Sequence, residues 1–324
     1  MNGKAVQQES CSTEEQFFLK NFIVNYALYF ALAGMIIFLT LATNKFFTLS
    51  NIVNVLRQIS VQAIIAIGMT MAIIMAQMDL SVGAVVAFAS VCVALLLNAG
   101  VALPLAILLT LLFSAVWGLI SGFVVAYFKL HAFLVTLAMM TLVRGVTYTM
   151  TGGYPVGGLP KSFFPLGAGY SLGIPYPVIY MIILYLIGFV VLKKTPFGRS
   201  IYSIGGNEDA ARLSGIRIFI VKVSVFVTTA VLSAVAGIIL SSRLMAGSPE
   251  IGQGWELDII AAVVIGGTSI SGGVGKLTGT MVGMLFVGIL TNGMILLGVT
   301  PYMQQVVRGL VILFAVILNS MQEN

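Results

Sequence analysis

Residues 80–128 read LSVGAVVAFASVCVALLLNAGVALPLAILLTLLFSAVWGLISGFVVAYF, with no charged side chain anywhere in the run. A bilayer core about 30 Å thick is crossed by roughly 20 helical residues, so this one stretch is long enough for two crossings. Asn98, Gly100 and Pro104 fall near its middle and predict the turn between them. In hydrocarbon every backbone N–H and C=O needs a partner, and a helix supplies them within the segment itself.

Working outward, further uncharged runs cover 21–44, 58–78, 162–192, 223–242, 259–275 and 277–307. Across the chain 59% of residues are hydrophobic and 8% charged, whereas soluble domains carry about 25% charged residues. The expected fold is all-α, a polytopic transmembrane helical bundle of about ten spans, or eight, with broken or re-entrant segments. A single membrane domain over 21–320 is expected between short tails at 1–20 and 321–324. The first apolar run follows Glu9, Glu14 and Glu15 and ends in Ala42-Thr43-Asn44 without a small-x-small site, so it is expected to stay as a helix. Cys11 in the tail and Cys92 in a predicted helix do not suit a disulfide framework.

Sixteen Lys and Arg against ten Asp and Glu give a net charge of +6. Their distribution argues against nucleic acid as a partner. Lys193, Lys194, Arg199, Arg212, Arg217 and Lys222 gather in one segment, which places 194–222 in the cytoplasm by the positive-inside rule. Threading from there puts both termini inside, a short turn at 45–50 outside, and two longer loops outside. One is 151–176, rich in Gly and Pro and read as non-helical; the other is 243–258, with Glu250, Glu256 and Asp258. Residues 259–275 descend as a span or re-enter.

No enzyme site is expected, and neither a metal nor a cofactor. There is one histidine, His131, and no Cys or His pair at metal spacing. Gly275-Lys276 fails as a phosphate loop, since Ile270 stands where the first Gly is needed and Leu277 where Ser or Thr is needed.

Asp79 with Ser81 and Gly83 reads either as a helix start, a carboxylate accepting backbone N–H bonds, or as part of a polar path through the membrane. The glycines Gly266, Gly267, Gly272, Gly273, Gly275, Gly279 and Gly283 serve either close helix packing or re-entrant backbone lining a cavity. Arg57, Arg144 and Arg308 are expected to reach an interface or pair with protein groups. Between 207 and 215 the local chemistry predicts a short bounded helix. Asn207 is an N-cap, Glu208 and Asp209 put negative charge in the first turn, Arg212 puts positive charge later, and Gly215 closes the end in a left-handed conformation.

Three stretches also carry a resemblance: Asp79-Leu80-Ser81-Val82-Gly83; Gly198-Arg199 through Gly205-Gly206-Asn207-Glu208-Asp209-Ala210-Ala211-Arg212-Leu213-Ser214-Gly215-Ile216; and Glu256-Leu257-Asp258 through Ala261 to Gly266-Gly267-Thr268-Ser269. In order and spacing they are similar to the membrane subunits of sugar-importing ABC transporters, the ribose, xylose and arabinose permease family, and within it the ribose branch. Ala76-Gln77-Met78 departs from the Gly-Gly-Ile-type run that the family usually shows before the aspartate.

The resemblance implies the permease of an importer in a bacterial inner membrane, passing ribose or a similar pentose. Its implied partners are a cytoplasmic ATP-binding subunit, an external periplasmic sugar-binding protein, a second copy of the chain and membrane lipid. It implies that Asp79, Ser81, Gly83, Gly266 and Thr268 line the path. Asn207, Glu208, Asp209, Ala211, Arg212 and Gly215 would form the helix that docks on the ATPase. Two other classes stand beside it. An ion-coupled secondary transporter needs buried carboxylates, of which Asp79 is the one candidate; a membrane scaffold would not need so many broken, Gly-rich segments.

Overall fold

The structure, a computed structural model, describes residues 28–323. The expected tail at 1–20 and the start of the expected first helix, 21–27, lie outside the described residues, as does Asn324. In chain order the helices begin with α1 (Leu28–Ala42), α2 (Leu49–Ile74), α3 (Val82–Asn98), α4 (Leu103–Phe128) and α5 (Ala132–Thr151). There follow α6 (Pro165–Ala168), α7 (Tyr176–Lys194), α8 (Pro196–Gly206) and α9 (Glu208–Leu213). The last four are α10 (Ile218–Leu244), α11 (Trp255–Ile265), α12 (Leu277–Leu296) and α13 (Pro301–Glu323).

Six of these, α2, α4, α5, α7, α10 and α12, are long and apolar enough to cross a membrane by length and composition; α1 and α3 are apolar but shorter. Helix α4 shows how one segment faces two media. Leu105, Leu108, Leu112, Val116, Leu119 and Phe123 are exposed, an apolar face that no soluble domain would leave open. Its buried face carries Ala106, Thr110, Ser114, Gly118 and Gly122. A Cβ at Gly118 would lie 2.5 Å from the Phe226 carbonyl oxygen, and one at Gly122 2.8 Å from Val223 Cα, so both glycines let α4 and α10 touch backbone to backbone. Of these six, α2 and α10 are the most enclosed, and α10 packs against α4, α3 and α2.

One expectation is corrected. The 151–176 segment is not wholly irregular: it holds a 3-10 turn at Lys161–Phe163, the short α6, and a two-residue antiparallel pair, Tyr170–Ser171 with Ile174–Pro175. Pro165 opens α6, where its missing N–H costs nothing. Ser242 Oγ fastens the turn to α10, donating to Phe163 O at 2.6 Å and accepting from Gly167 N at 2.7 Å.

At 259–275, where a descending span and a re-entrant segment were both open, the helix is broken: α11 stops at Ile265 and the backbone from 266 to 276 is irregular. The physical reason is local, since Gly267, Gly272 and Gly273 have φ of +86°, +91° and +75°, which a continuing right-handed helix does not permit.

Candidate functional site

Helix α2 ends at Ile74, and the chain turns through Ala76, at φ +55°, into the polar stretch before α3. Asp79 is buried here, and its Oδ1 accepts from Ser81 N at 2.9 Å and from Ser81 Oγ at 2.6 Å. The residue flanking α3 is Ser81, without a side-chain cap bond. Asp79 therefore closes a tight turn just ahead of the helix rather than capping it directly. Thr136 Oγ1, on α5, donates to Met78 O at 3.1 Å and ties that helix to the same stretch.

The connection from α10 to α11 meets this stretch. Residues 247–252 lie along α3: Ser248 N donates to Ser90 Oγ at 3.2 Å, and Gly252 lies against Gly83. A Cβ at Gly83 would strike the Gly252 carbonyl oxygen and lie 2.6 Å from the Glu256 carboxylate. Arg144, in the middle of α5, donates from Nη1 to Pro249 O at 2.7 Å and to Ile251 O at 3.0 Å. The expected outer loop 243–258 is thus folded against α3 by contacts that join α3, α5 and α11. Nothing in the local pattern announces this except a lone arginine in an apolar helix.

Gly266 and Thr268 lie elsewhere. A Cβ at Gly266 would fall 2.5 Å from Gly279 O, and a Cβ at Gly283 would strike Ala262 O, so α11 and α12 cross through these glycines. Thr268, its hydroxyl included, is buried beside Gly275.

 That hydroxyl has no hydrogen-bond partner among the described residues. Of the path candidates, Gly83 thus meets the N-terminal end of α11, while Gly266 and Thr268 follow its C-terminal end, the eleven residues between spanning about 16 Å. No group of three or more metal-ligating side chains occurs among the described residues.

The expected short helix is present as α9. Asn207 Oδ1 accepts from Ala210 N at 2.9 Å, Gly215 has φ +82°, and Ile216 N donates to Ala211 O at 3.1 Å. Ala211 is buried and Arg212 pairs with Glu208 at 3.3 Å and Asp209 at 3.2 Å. Two features were not anticipated. Glu208 also reaches back to Lys222 on α10, 2.7 Å away. Ahead of α9 stands a whole helix, α8, separated from it by Asn207 alone, whose N–H donates to Ser203 O at 3.1 Å.

The last turn of α8 lies on the two broken segments. A Cβ at Gly205 would strike the Ile74 carbonyl oxygen, which itself accepts from Gly273 N at 2.8 Å. Tyr202 donates its hydroxyl to Gly275 O at 2.8 Å. Burial raises the Tyr202 hydroxyl above its ordinary value, so it stays a neutral donor. Of the arginines expected to pair, Arg144 holds carbonyls, Arg308 lies 3.3 Å from Asp258, and Arg57 stacks 5.0 Å from the Tyr170 ring centroid.

Residues 51–316 match the family model described as branched-chain amino acid transport system / permease component. The ribose import permease protein of Haemophilus influenzae is 43% identical over 308 residues, 94% of this chain and 95% of the relative. That of Bacillus subtilis is 46% identical over 287 residues, 88% and 89% of the two chains. The L-arabinose transport system permease protein of Escherichia coli is 38% identical over 294 residues, 91% and 90%. No solved structure matches the chain.

Proposed function

The chain belongs to the family of branched-chain amino acid transport system / permease components, and from that premise we propose that it is the membrane subunit of an ATP-driven sugar importer, forming the passage for ribose or a similar pentose. The observation that carries the reading is identity to ribose import permeases over nearly the whole length of both chains. The chain does no covalent chemistry of its own, and ATP hydrolysis belongs to a separate cytoplasmic subunit. A sugar-binding protein delivers the solute from outside, and a second copy of the chain completes the passage in the lipid bilayer of the inner membrane.

The remaining assignments extend that reading. About ten spans, both termini inside and α8–α9 in the cytoplasm follow the gathered cations. Helix α9, capped at both ends and bearing a charged outer face, is the element that docks on the ATPase. The breaks before α3 and around α11 put polar backbone where a sugar passes, as transporters do where helices are interrupted. Asp79, Ser81 and Gly83 at the break before α3, and Gly266 and Thr268 at the break after α11, are the residues assigned to that path.

The test is uptake of labelled ribose, xylose and arabinose into vesicles holding the permease, with the ATPase and the sugar-binding protein each present or omitted. Ribose uptake that needs ATP and both partners is expected. Uptake driven by an ion gradient without the ATPase would sink the reading in favour of a secondary transporter.

A further inference from the structure

Helix α8 touches both broken segments. Three backbones meet at the end of α8. Ile74 O closes α2, Gly205 lies against it with no room for a side chain, and Gly273 N donates to the same oxygen. Gly272 fits beside them, where a Cβ would lie 2.8 Å from Gly205 O and 3.0 Å from Ala76 Cβ. Contacts between backbones cannot yield by changing rotamer, so a displacement of α8 has to be taken up by its neighbours. Because α8 and α9 share Asn207 as the end of one and the start of the other, they are expected to move together.

We propose that Tyr202 is a positioning residue through which α8 hands the movement of α9 to the 266–276 segment, and so to the end of α11. The inference rests on the reading of α9 as the docking helix. The Tyr202 hydroxyl holds Gly275 O at 2.8 Å, two residues beyond the Gly273 that meets Gly205, so the two contacts together grip residues 272–275 of the segment. The plain alternative is that Tyr202 only satisfies a buried carbonyl. Such a role would affect stability and leave the transmission of movement unchanged.

The experiment uses the full importer in vesicles and the variant Tyr202→Phe, which keeps the ring and removes the donor. Assembly with the ATPase and the half-saturating concentration of the loaded sugar-binding protein are expected to stay at wild type. Sugar moved per ATP is expected to fall about two- to tenfold, the range set by one neutral hydrogen bond. Hydrogen exchange supplies the second readout. On trapping the ATPase closed, wild type should change protection at both 207–215 and 266–276, whereas Tyr202→Phe should change it at 207–215 alone. Change at both segments in the variant, or wild-type sugar per ATP, overturns the proposal while leaving α9 as the docking helix. No change at 207–215 in wild type removes the docking reading, and the proposal with it.

Discussion

Lys222 Nζ lies 2.7 Å from the Glu208 carboxylate, with the lysine side chain 9% exposed and the glutamate 37%. This contact joins the first turn of α9 to α10. The same carboxylate also receives Arg212 at 3.3 Å, so Glu208 serves both the helix itself and its attachment.

Glu208→Gln should therefore weaken binding of the ATPase more than Asp209→Asn. Removing Glu208 leaves a nearly buried ammonium without its partner, a loss on the order of 1–3 kcal/mol. Asp209 is 86% exposed and its pair with Arg212 is a surface contact worth about 0–1 kcal/mol. Affinity measured for the purified ATPase in detergent checks the order, and equal effects would detach the Lys222 contact from docking.

Gly215 has φ +82°, and its N–H donates to Arg212 O at 3.0 Å. Gly215→Val forces a β-branched residue into the left-handed region, at a cost of about 1–2 kcal/mol or more. Gly206→Ala is the control, because a Cβ there meets nothing within 4 Å. Both variants should insert, and only Gly215→Val should lose ATPase co-purification or transport less sugar per ATP.

The boundaries of α9 were legible because a cap is local chemistry: Asn207, two acids and a glycine within nine positions state where a helix starts and stops. Helix α8 was not, because its three glycines, Gly198, Gly205 and Gly206, have low helix propensity and give no helical signal. Two of them mark close approaches instead, since Gly198 lets α8 fold against the end of α7 and Gly205 admits Ile74 O, while Ile201 and Ile204 are buried. The end of α11 was only half legible: the glycines of 266–275 left a span and a break both open, and the positive φ at three of them decides for the break. The packing of 247–252 on α3 depends on Arg144, more than a hundred positions away in sequence, and no periodicity encodes it.

Asp79→Asn should insert normally but impair uptake. The amide oxygen still accepts from Ser81 N and Ser81 Oγ, so the turn survives while the charge is removed. A buried carboxylate at membrane depth is expensive, which favours its having a use in the path. Wild-type uptake by correctly inserted Asp79→Asn would leave Asp79 as a turn residue only.

Single cysteines at Gly157, Glu250 and Ser203, all exposed positions, test the threading. The first two should label with a membrane-impermeant maleimide from outside, and Ser203 only after the inner face is opened. Reversed labelling at any one would overturn the local assignment of sides.

Arg144 offers the strongest separation of charge from geometry. Its guanidinium donates to Pro249 O and Ile251 O, holding the α10–α11 connection against α3 where Gly252 meets Gly83. Lysine keeps the charge and has donors enough, but its ammonium stands one bond nearer the backbone than Nη1, which makes both bonds, so it is expected to fall short of holding the two carbonyls together. Hydrogen bonds to a charged donor contribute about 1.5–3 kcal/mol each, and losing one or both should loosen the connection without unfolding the bundle. Arg144→Ala and Arg144→Lys should both reach the membrane, raise the labelling rate of a cysteine at Glu250, and cut uptake roughly tenfold or more. The alanine variant should be the worse of the two, since both carbonyls then lack a protein donor. If Arg144→Lys transports at the wild-type rate, the positive charge alone suffices and the two-carbonyl geometry has no part in forming the path.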